Sequence, residues 1–303
     1  MHPLVRAASA ALAALTALGA AGCTMRAAAD YQRPAPASPS AKPSATPAPP
    51  PAIPAGARWR TVDGRRYLLY VPKNVARPAP LVVALGGIGF TAQHTLAAFR
   101  LTATAAKSHA VVAYPDPVKG IWNAGGCCFG ATADDIGFMT RMRAQIAHDI
   151  PLDSRRQVMM GYSNGGMLAY DAACADTHWT GIVVLGASLM TRCTPKRAFT
   201  IVNVNGENDT VAHWDGGYAH YTQMVMPAVW QIDQEFATVF GCRPAQHAVS
   251  NSNEVYTYAG CQGGAYVRDI RVPGLRHHWP MRELDGYDMG PVLWRLVLAR
   301  SGA

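Results

Sequence analysis

From about residue 66 onward, short apolar runs alternate with segments of helical periodicity. Residues 66–71 and 80–85 predict strands, the second so continuously apolar that both of its faces must be covered. Residues 110–114 predict a third, stopped by Pro115-Asp116-Pro117, and further strands are expected over 157–161, 181–185, 199–204 and 266–272. Asp134 and Asp135 form an acidic cap, after which Ile136, Met139, Met142 and Ile146 share one helical face. Helices are also expected over 227–240, with Pro227 in the first turn where its missing N–H does no harm, and over 290–299. Strands and helices alternating at this spacing predict an α/β domain, a mostly parallel sheet with helices on both faces.

Ahead of that pattern the chain changes character. Residues 33–54 are dominated by Pro, Ala and Ser, which cannot build a core and favour an extended spacer. The first residues read as an export signal. Arg6 supplies the positive charge, and the Ala- and Leu-rich stretch over 7–21 falls short of the about 20 residues a bilayer span needs. It ends in Leu18-Gly19-Ala20-Ala21-Gly22-Cys23, which resembles a bacterial lipobox with Cys23 as the acylated residue. The expected organisation is a signal peptide over 1–22, a linker over 23–57 and a folded domain over 58–303. The protein is expected outside the cytoplasm, anchored at the cell envelope through a lipid on Cys23, or extracellular if the leader is simply cleaved. No other contact with a membrane is expected.

Composition narrows the classes. Half of the 303 residues are apolar and only 15% are charged, which excludes a disordered chain and suits one well-cored domain. The net charge is +8, with a sequence pI of about 9.2. The Lys and Arg residues are scattered with no run of four, so the balance reads as a basic surface and nucleic acid is not an expected partner. There are 7 cysteines. With Cys23 set aside, an even number remains in an exported chain, which reads as up to three disulfides. Cys242 and Cys261 flank one local segment and are the preferred pair, a closure contributing about 3 kcal/mol; the pairing of Cys127, Cys128, Cys174 and Cys193 stays open. No C-x-x-C pair suggests zinc.

The strongest chemical signal is Gly161-Tyr162-Ser163-Asn164-Gly165-Gly166, which follows an apolar strand and precedes a plausible helix start. G-x-S-x-G between strand and helix is the pattern of a nucleophile elbow, in which a tight turn lifts Ser163 out of the strand end. Side chains at Gly161 or Gly165 would collide with neighbouring backbone. A serine hydroxyl needs a base to take its proton and an acid to orient that base, in the order Ser, Asp, His. Asp209 follows the strand over 199–204 and is the expected acid, with Glu207 and Asp215 as rivals; His277 or His278 is the expected base. Adjacent histidines do not readily chelate one metal ion, and no metal or organic cofactor is implied. Backbone N–H groups of Asn164 and of Ile88, in Gly86-Gly87-Ile88-Gly89, are the expected oxyanion donors. Trp122 and Trp279 are candidate walls of a substrate pocket, or core residues.

Several motifs together resemble the secreted poly(3-hydroxybutyrate) depolymerase and feruloyl/acetylxylan esterase group of α/β-hydrolases. They are Tyr70-Val71-Pro72, Trp122-Asn123-Ala124-Gly125-Gly126-Cys127-Cys128, Asp134-Asp135-Ile136-Gly137-Phe138, Gly161 to Met167, and His277-His278-Trp279-Pro280. The resemblance covers roughly residues 66–280. It implies the α/β-hydrolase fold, selects His277 through the H-x-W-P order, and matches a family cysteine pair to Cys242 and Cys261. Two places depart from the family's usual His-Gly: Gly86-Gly87 and Asn205-Gly206.

The expectation is a serine carboxylic-ester hydrolase with Ser163, Asp209 and His277 as its triad. Its substrate would be a polyester oligomer or an acylated carbohydrate. The chain ends at Ala303, soon after His277, so an appended polymer-binding module is not expected, which favours short esters or oligomers. The rival from another class is a tethered envelope binding protein that kept the fold and lost the chemistry.

Overall fold

The computed structural model describes residues 50–279 together with Gly290 and Trp294. The leader, Cys23 and the spacer through residue 49 lie outside the described residues. Ten strands form one sheet. They are β1 (Ala57–Val62), β2 (Arg65–Tyr70), β3 (Ala79–Leu85), β4 (Val111–Pro115), β5 (Leu152–Tyr162), β6 (Gly181–Leu185), β7 (Thr200–Gly206), and, after a small separate hairpin of β8 (Gly217–Ala219) and β9 (Met224–Met226), β10 (Gln246–Ser250), β11 (Asn253–Tyr258) and β12 (Val267–Val272). The order across the sheet is β1-β2-β4-β3-β5-β6-β7-β12-β11-β10. Its middle, from β4 to β12, is parallel throughout, and antiparallel pairs close both edges.

The period of two along each strand divides the core. On β3, Leu81, Val83 and Leu85 face one side, where they join α3 (Asp135–Asp149), α4 (Asn164–Ala175) and α5 (Val229–Val239). Val82 and Ala84 face the other, against α1 (Ala92–Phe99), α2 (Thr102–Lys107) and Trp294. Every residue of β3, β4, β6 and β7 is buried, as a parallel sheet with two covered faces requires. The Asp134 side chain caps α3 by accepting from the Gly137 N–H at 2.9 Å, and Phe138, Met139, Met142 and Ile146 form its buried face.

Three differences from the sequence pattern have physical reasons. Helix α5 begins at Val229, so Pro227 precedes the helix and is not in its first turn. Ala228 is the extended cap residue, and the Val229 N–H is taken up by the Trp214 carbonyl at 3.0 Å. Strand β5 starts earlier than its apolar half, because residues 152–156 run along the sheet with mostly polar, partly or fully exposed side chains. The hairpin β10–β11 and strand β1 had no continuous apolar run to announce them; β10 is exposed along its whole length. Of the helix expected over 290–299, only Gly290 and Trp294 are described, and both are helical.

One polar cluster sits inside this core. Asp233 of α5 accepts from the Tyr170 hydroxyl at 2.7 Å and from the Asn203 amide at 2.9 Å. Asp269 of β12 lies close enough for the two charges to oppose each other, and among the described residues its Oδ1 has no hydrogen-bond partner. Burial, reinforced by the Asp233 charge, pushes Asp269 well above the carboxylate range, and burial pushes Asp233 up to about 7. The folded chain therefore holds protons here more tightly than the unfolded chain. That stabilisation is complete below about pH 4, the ordinary Asp range, and is lost as pH rises through about 7. Urea unfolding between about pH 5 and pH 8 should show wild-type stability falling more steeply with rising pH than that of Asp269→Asn. An unchanged pH slope in the variant would contradict the shared burial of the two acids.

Candidate active site

The buried end of β5 stops at Tyr162 because Ser163 takes φ 52° and ψ −126°, a conformation L-residues rarely adopt. Hydrogen bonds on both sides hold it. The Ser163 N–H donates to the Leu185 carbonyl at 2.9 Å, and its own carbonyl accepts from Gly166 and Met167 at 2.8 and 3.0 Å. The turn closes only without neighbouring side chains. A Cβ on Gly161 would strike the Gly165 carbonyl, and one on Gly165 would strike the Leu85 and Gly86 carbonyls.

Asp209 sits three residues past the end of β7, almost fully buried, with Oδ1 accepting from the Val211 and Ala212 N–H groups at 2.8 Å each. His277 arrives from the loop after β12. Its Nδ1 lies 2.8 Å from Asp209 Oδ2, and its Nε2 lies 2.8 Å from Ser163 Oγ. The neighbouring carboxylate favours the tautomer protonated on Nδ1, which leaves Nε2 to accept the Ser163 hydroxyl proton. All three loops leave the C-terminal ends of parallel strands, where a sheet of this kind opens a crevice.

The structure thus brings Ser163, His277 and Asp209 into one hydrogen-bonded chain and leaves their rivals elsewhere. Glu207 pairs with Arg271 at 2.9 Å, and Asp215 accepts from the Trp230 indole at 3.2 Å. His278 is exposed. The loop after β3 presses its backbone on the serine, since a Cβ on Gly87 would stand 3.3 Å from Ser163 Cβ. Ile88 follows directly, between that contact and Gly89, whose N–H is tied to the Gly120 carbonyl at 2.8 Å.

The two tryptophans, expected as pocket walls or core residues, are both buried. Trp122 is 1% exposed, and its indole N–H donates to the Gly86 carbonyl at 3.0 Å. Trp279 is buried too, stacked on Phe99 with ring centroids 3.8 Å apart and edge-on to Tyr162. Both are drawn inward because their large apolar surfaces brace the loops that carry the site.

Other supporting residues escaped the sequence pattern. The Asn164 side chain accepts from the Trp122 N–H at 2.7 Å and donates to the Trp122 carbonyl at 3.1 Å, locking the loop over residues 122–130 to the elbow. Tyr162 donates from its hydroxyl to the His277 carbonyl at 3.2 Å. Asn205 donates to the Ala212 carbonyl at 2.5 Å, which steadies the Asp209 loop. At Gly86 there is no room for a histidine. A Cβ would stand 2.5 Å from Phe90 Cβ and would meet the Thr95 hydroxyl. These positions lie in or beside motifs of the sequence, which gave no sign of the contacts their side chains make.

Cys242 is joined to Cys261, Cys174 to Cys193, and Cys127 to its neighbour Cys128. Three such bridges belong to an oxidising compartment outside the cytoplasm. Among the described residues no three His, Cys, Asp or Glu side chains are grouped to hold a metal ion.

Sheet order, elbow and the positions of the three loops define an α/β-hydrolase fold, and solved structures agree. An acetyl xylan esterase from Aspergillus awamori superposes with a TM-score of 0.55 at 14% identity, covering 73% of this chain and 93% of that one. A poly(3-hydroxybutyrate) depolymerase from Bordetella parapertussis superposes at 0.50 and 15% identity, over 79% and 88%. In sequence, the chain is similar to feruloyl esterase B of Piromyces equi, 26% identical over 217 residues, which are 66% of this chain and 40% of that protein. The chain spans less than half the length of the first relatives it matches. No family model matches it.

Gly186, after β6, has φ 56°, and a Cβ there would stand 3.1 Å from Asp209 Oδ2 and 3.2 Å from His277 Nδ1. Gly186→Ala should cost about 1–2 kcal/mol in left-handed backbone strain alone, read by urea unfolding, and should slow fluorophosphonate labelling of Ser163. Wild-type stability and labelling in that variant would show that the space is not needed.

Proposed function

We propose that this chain is a serine carboxylic-ester hydrolase that works through an acyl-enzyme on Ser163. The observation that carries the reading is the unbroken series of short contacts from Asp209 through His277 to Ser163. Ser163 Oγ adds to the ester carbonyl carbon while its proton passes to His277 Nε2. The resulting oxyanion is held by the N–H groups of Asn164 and Ile88, each worth about 3–4 kcal/mol in such sites. Collapse expels the alcohol oxygen, which takes the proton from His277. Water then repeats the sequence and releases the acid. Asp209 keeps the imidazole oriented and stabilises its cation, and the two backbone N–H groups on Oδ1 keep that carboxylate in place.

For the substrate, the similarity to a feruloyl esterase favours acyl esters of carbohydrate; polyester oligomers, the other expectation, share the same chemistry. The domain organisation remains as the sequence suggests: a leader over 1–22, a linker over 23–57 and the catalytic domain over 58–303. Export accords with the three disulfides. Attachment through a lipid on Cys23 would set the catalytic domain on a spacer at the envelope.

Purified protein should release p-nitrophenol from p-nitrophenyl butyrate. Ser163→Ala and His277→Ala should each lose several orders of magnitude in kcat, while His278→Ala should lose about tenfold or less. An inactive wild type that still binds esters would instead identify a tethered binding protein, and a dead His278→Ala beside an active His277→Ala would reverse the assignment of the base. For the anchor, expression in a lipoprotein-competent bacterium should place the chain in the membrane fraction and Cys23→Ser in the soluble fraction. Soluble, unlipidated wild type would leave simple secretion.

A further inference from the structure

A cavity of about 340 Å³ opens at the end of the sheet away from Ser163. Its floor forms where four parallel strands begin. The Thr180 N–H, just before β6, donates to the Gln157 carbonyl of β5 at 2.8 Å. The Thr200 N–H of β7 donates to the Thr180 carbonyl at 3.0 Å, and the Ile201 N–H to the carbonyl of Tyr266, just before β12, at 2.9 Å. Thr180, Thr200 and Ala265 line the cavity from these starts. Ser163, Gly186, Asp209 and His277 follow the opposite ends of the same four strands. With β7 spanning 7 residues, roughly 20 Å of strand separates the two ends.

The lining is basic. Arg155 of β5 and Arg197, which precedes β7, both line it, and among the described residues no acidic side chain does. The acid nearest in sequence, Asp153, is already engaged. Its Oδ2 pairs with Arg156 at 2.7 Å, its Oδ1 accepts from the Arg155 backbone N–H at 2.9 Å, and its attraction to Arg156 exceeds that to Arg155. Arg197 is steadied by one bond, from Nη2 to the Trp179 carbonyl at 3.2 Å, which leaves most of its five N–H donors for a ligand. Gly263 and Gly264 also line the cavity, with left-handed φ of 64° and 74°. A Cβ on either would meet nothing within 4 Å, so this backbone lies open, and successive N–H groups in such turns favour anions.

We propose that this cavity binds a small phosphate dianion, inorganic phosphate or the phosphate group of a small monoester, between Arg155 and Arg197. Two guanidinium charges match the about −1.5 to −2 that a phosphate monoester carries near neutral pH. Each guanidinium fork gives two parallel N–H bonds to phosphate, and the glycine turn and the Ser154 hydroxyl add donors from other directions. A tetrahedral oxyanion accepts from all of these, whereas a flat carboxylate has two oxygens in one plane. The volume lies at the low end of the about 300–1,000 Å³ of small-molecule pockets, which suits a small ligand. The net charge of +8 draws anions to the surface as a whole. The site stands independently of the chemistry at Ser163. A bound anion ties the starts of β5 and β7 together and stabilises the folded chain.

Calorimetric titration of the exported protein at low ionic strength tests this with inorganic phosphate, glycerol 1-phosphate and acetate. Phosphate and glycerol 1-phosphate should each fill one site with Kd below about 1 mM, and acetate should bind at least about tenfold more weakly. Arg155→Gln and Arg197→Gln should each weaken phosphate binding about tenfold or more. Lys73→Gln removes a charge from an exposed position outside the cavity and should leave binding unchanged. Both arginines are exposed, so the variants should keep the wild-type urea midpoint in phosphate-free buffer; phosphate should raise that midpoint in wild type and not in the double variant. Ser163→Ala should bind phosphate as wild type does, whether or not the wild type hydrolyses esters. Absence of saturable binding, equal affinity for acetate, or an equal loss in Lys73→Gln overturns the site. Competition between phosphate and p-nitrophenyl butyrate overturns it as well, because the anion would then sit at Ser163.

Discussion

The left-handed turn at Ser163 is the constraint around which the rest is arranged. A side chain held at φ 52° costs roughly 1–3 kcal/mol, and it persists only where surroundings over-determine it. Here they do so through contact with three strands. Gly165 backs onto the carbonyls at the end of β3, the Ser163 N–H bonds to the end of β6, and the turn itself ends β5. Central parallel strands must therefore finish at the same level, and their common end becomes the floor of the site. The covered core beneath stabilises the strained point, and the strain aims one hydroxyl at one imidazole.

From that floor, geometry passes outward by hydrogen bonds between side chains and backbone. Asp209 is fixed by two amides of its own loop, that loop is steadied by Asn205, and His277 is held by Asp209 on one edge and by Tyr162 through its carbonyl. A buried carboxylate facing an imidazole is worth having only if both keep their places when a proton arrives. Fixed donors around Asp209 meet that need without any rearrangement. Gly186 does the same by omission, since the acid and the base occupy the space its side chain would take.

Much of this was legible in the chain because it follows from local rules. Two-sided burial wrote continuous apolar runs for β3, β4 and β6, and sterics wrote the glycines of the elbow, so the fold and Ser163 could be read directly. Asp209 and His277 were narrowed by their places after strands, and the choice between the two histidines came from the H-x-W-P order. What stayed hidden depends on tertiary neighbours. A β10 strand exposed along its length looks like loop, and the Asn164 side chain looks like a mere elbow position until Trp122 is folded against it. The departures at Gly86 and Asn205 became intelligible only in space. Phe90 and Thr95 fill the volume beside Gly86, and Asn205 turns its amide to the acid loop.

The aromatic residues show how a motif can serve the fold. Trp122 and Trp279 belong to the patterns that carry the family resemblance, and both are buried to brace backbone: one ties the loop after β3 to the elbow, the other fills the space under Tyr162. Such braces fix the loops around Ser163, Asp209 and His277. Phe129 and Tyr221, in contrast, meet each other edge to face while each stays more than half exposed. In this protein the motif tryptophans therefore bear on the site through the backbone they hold.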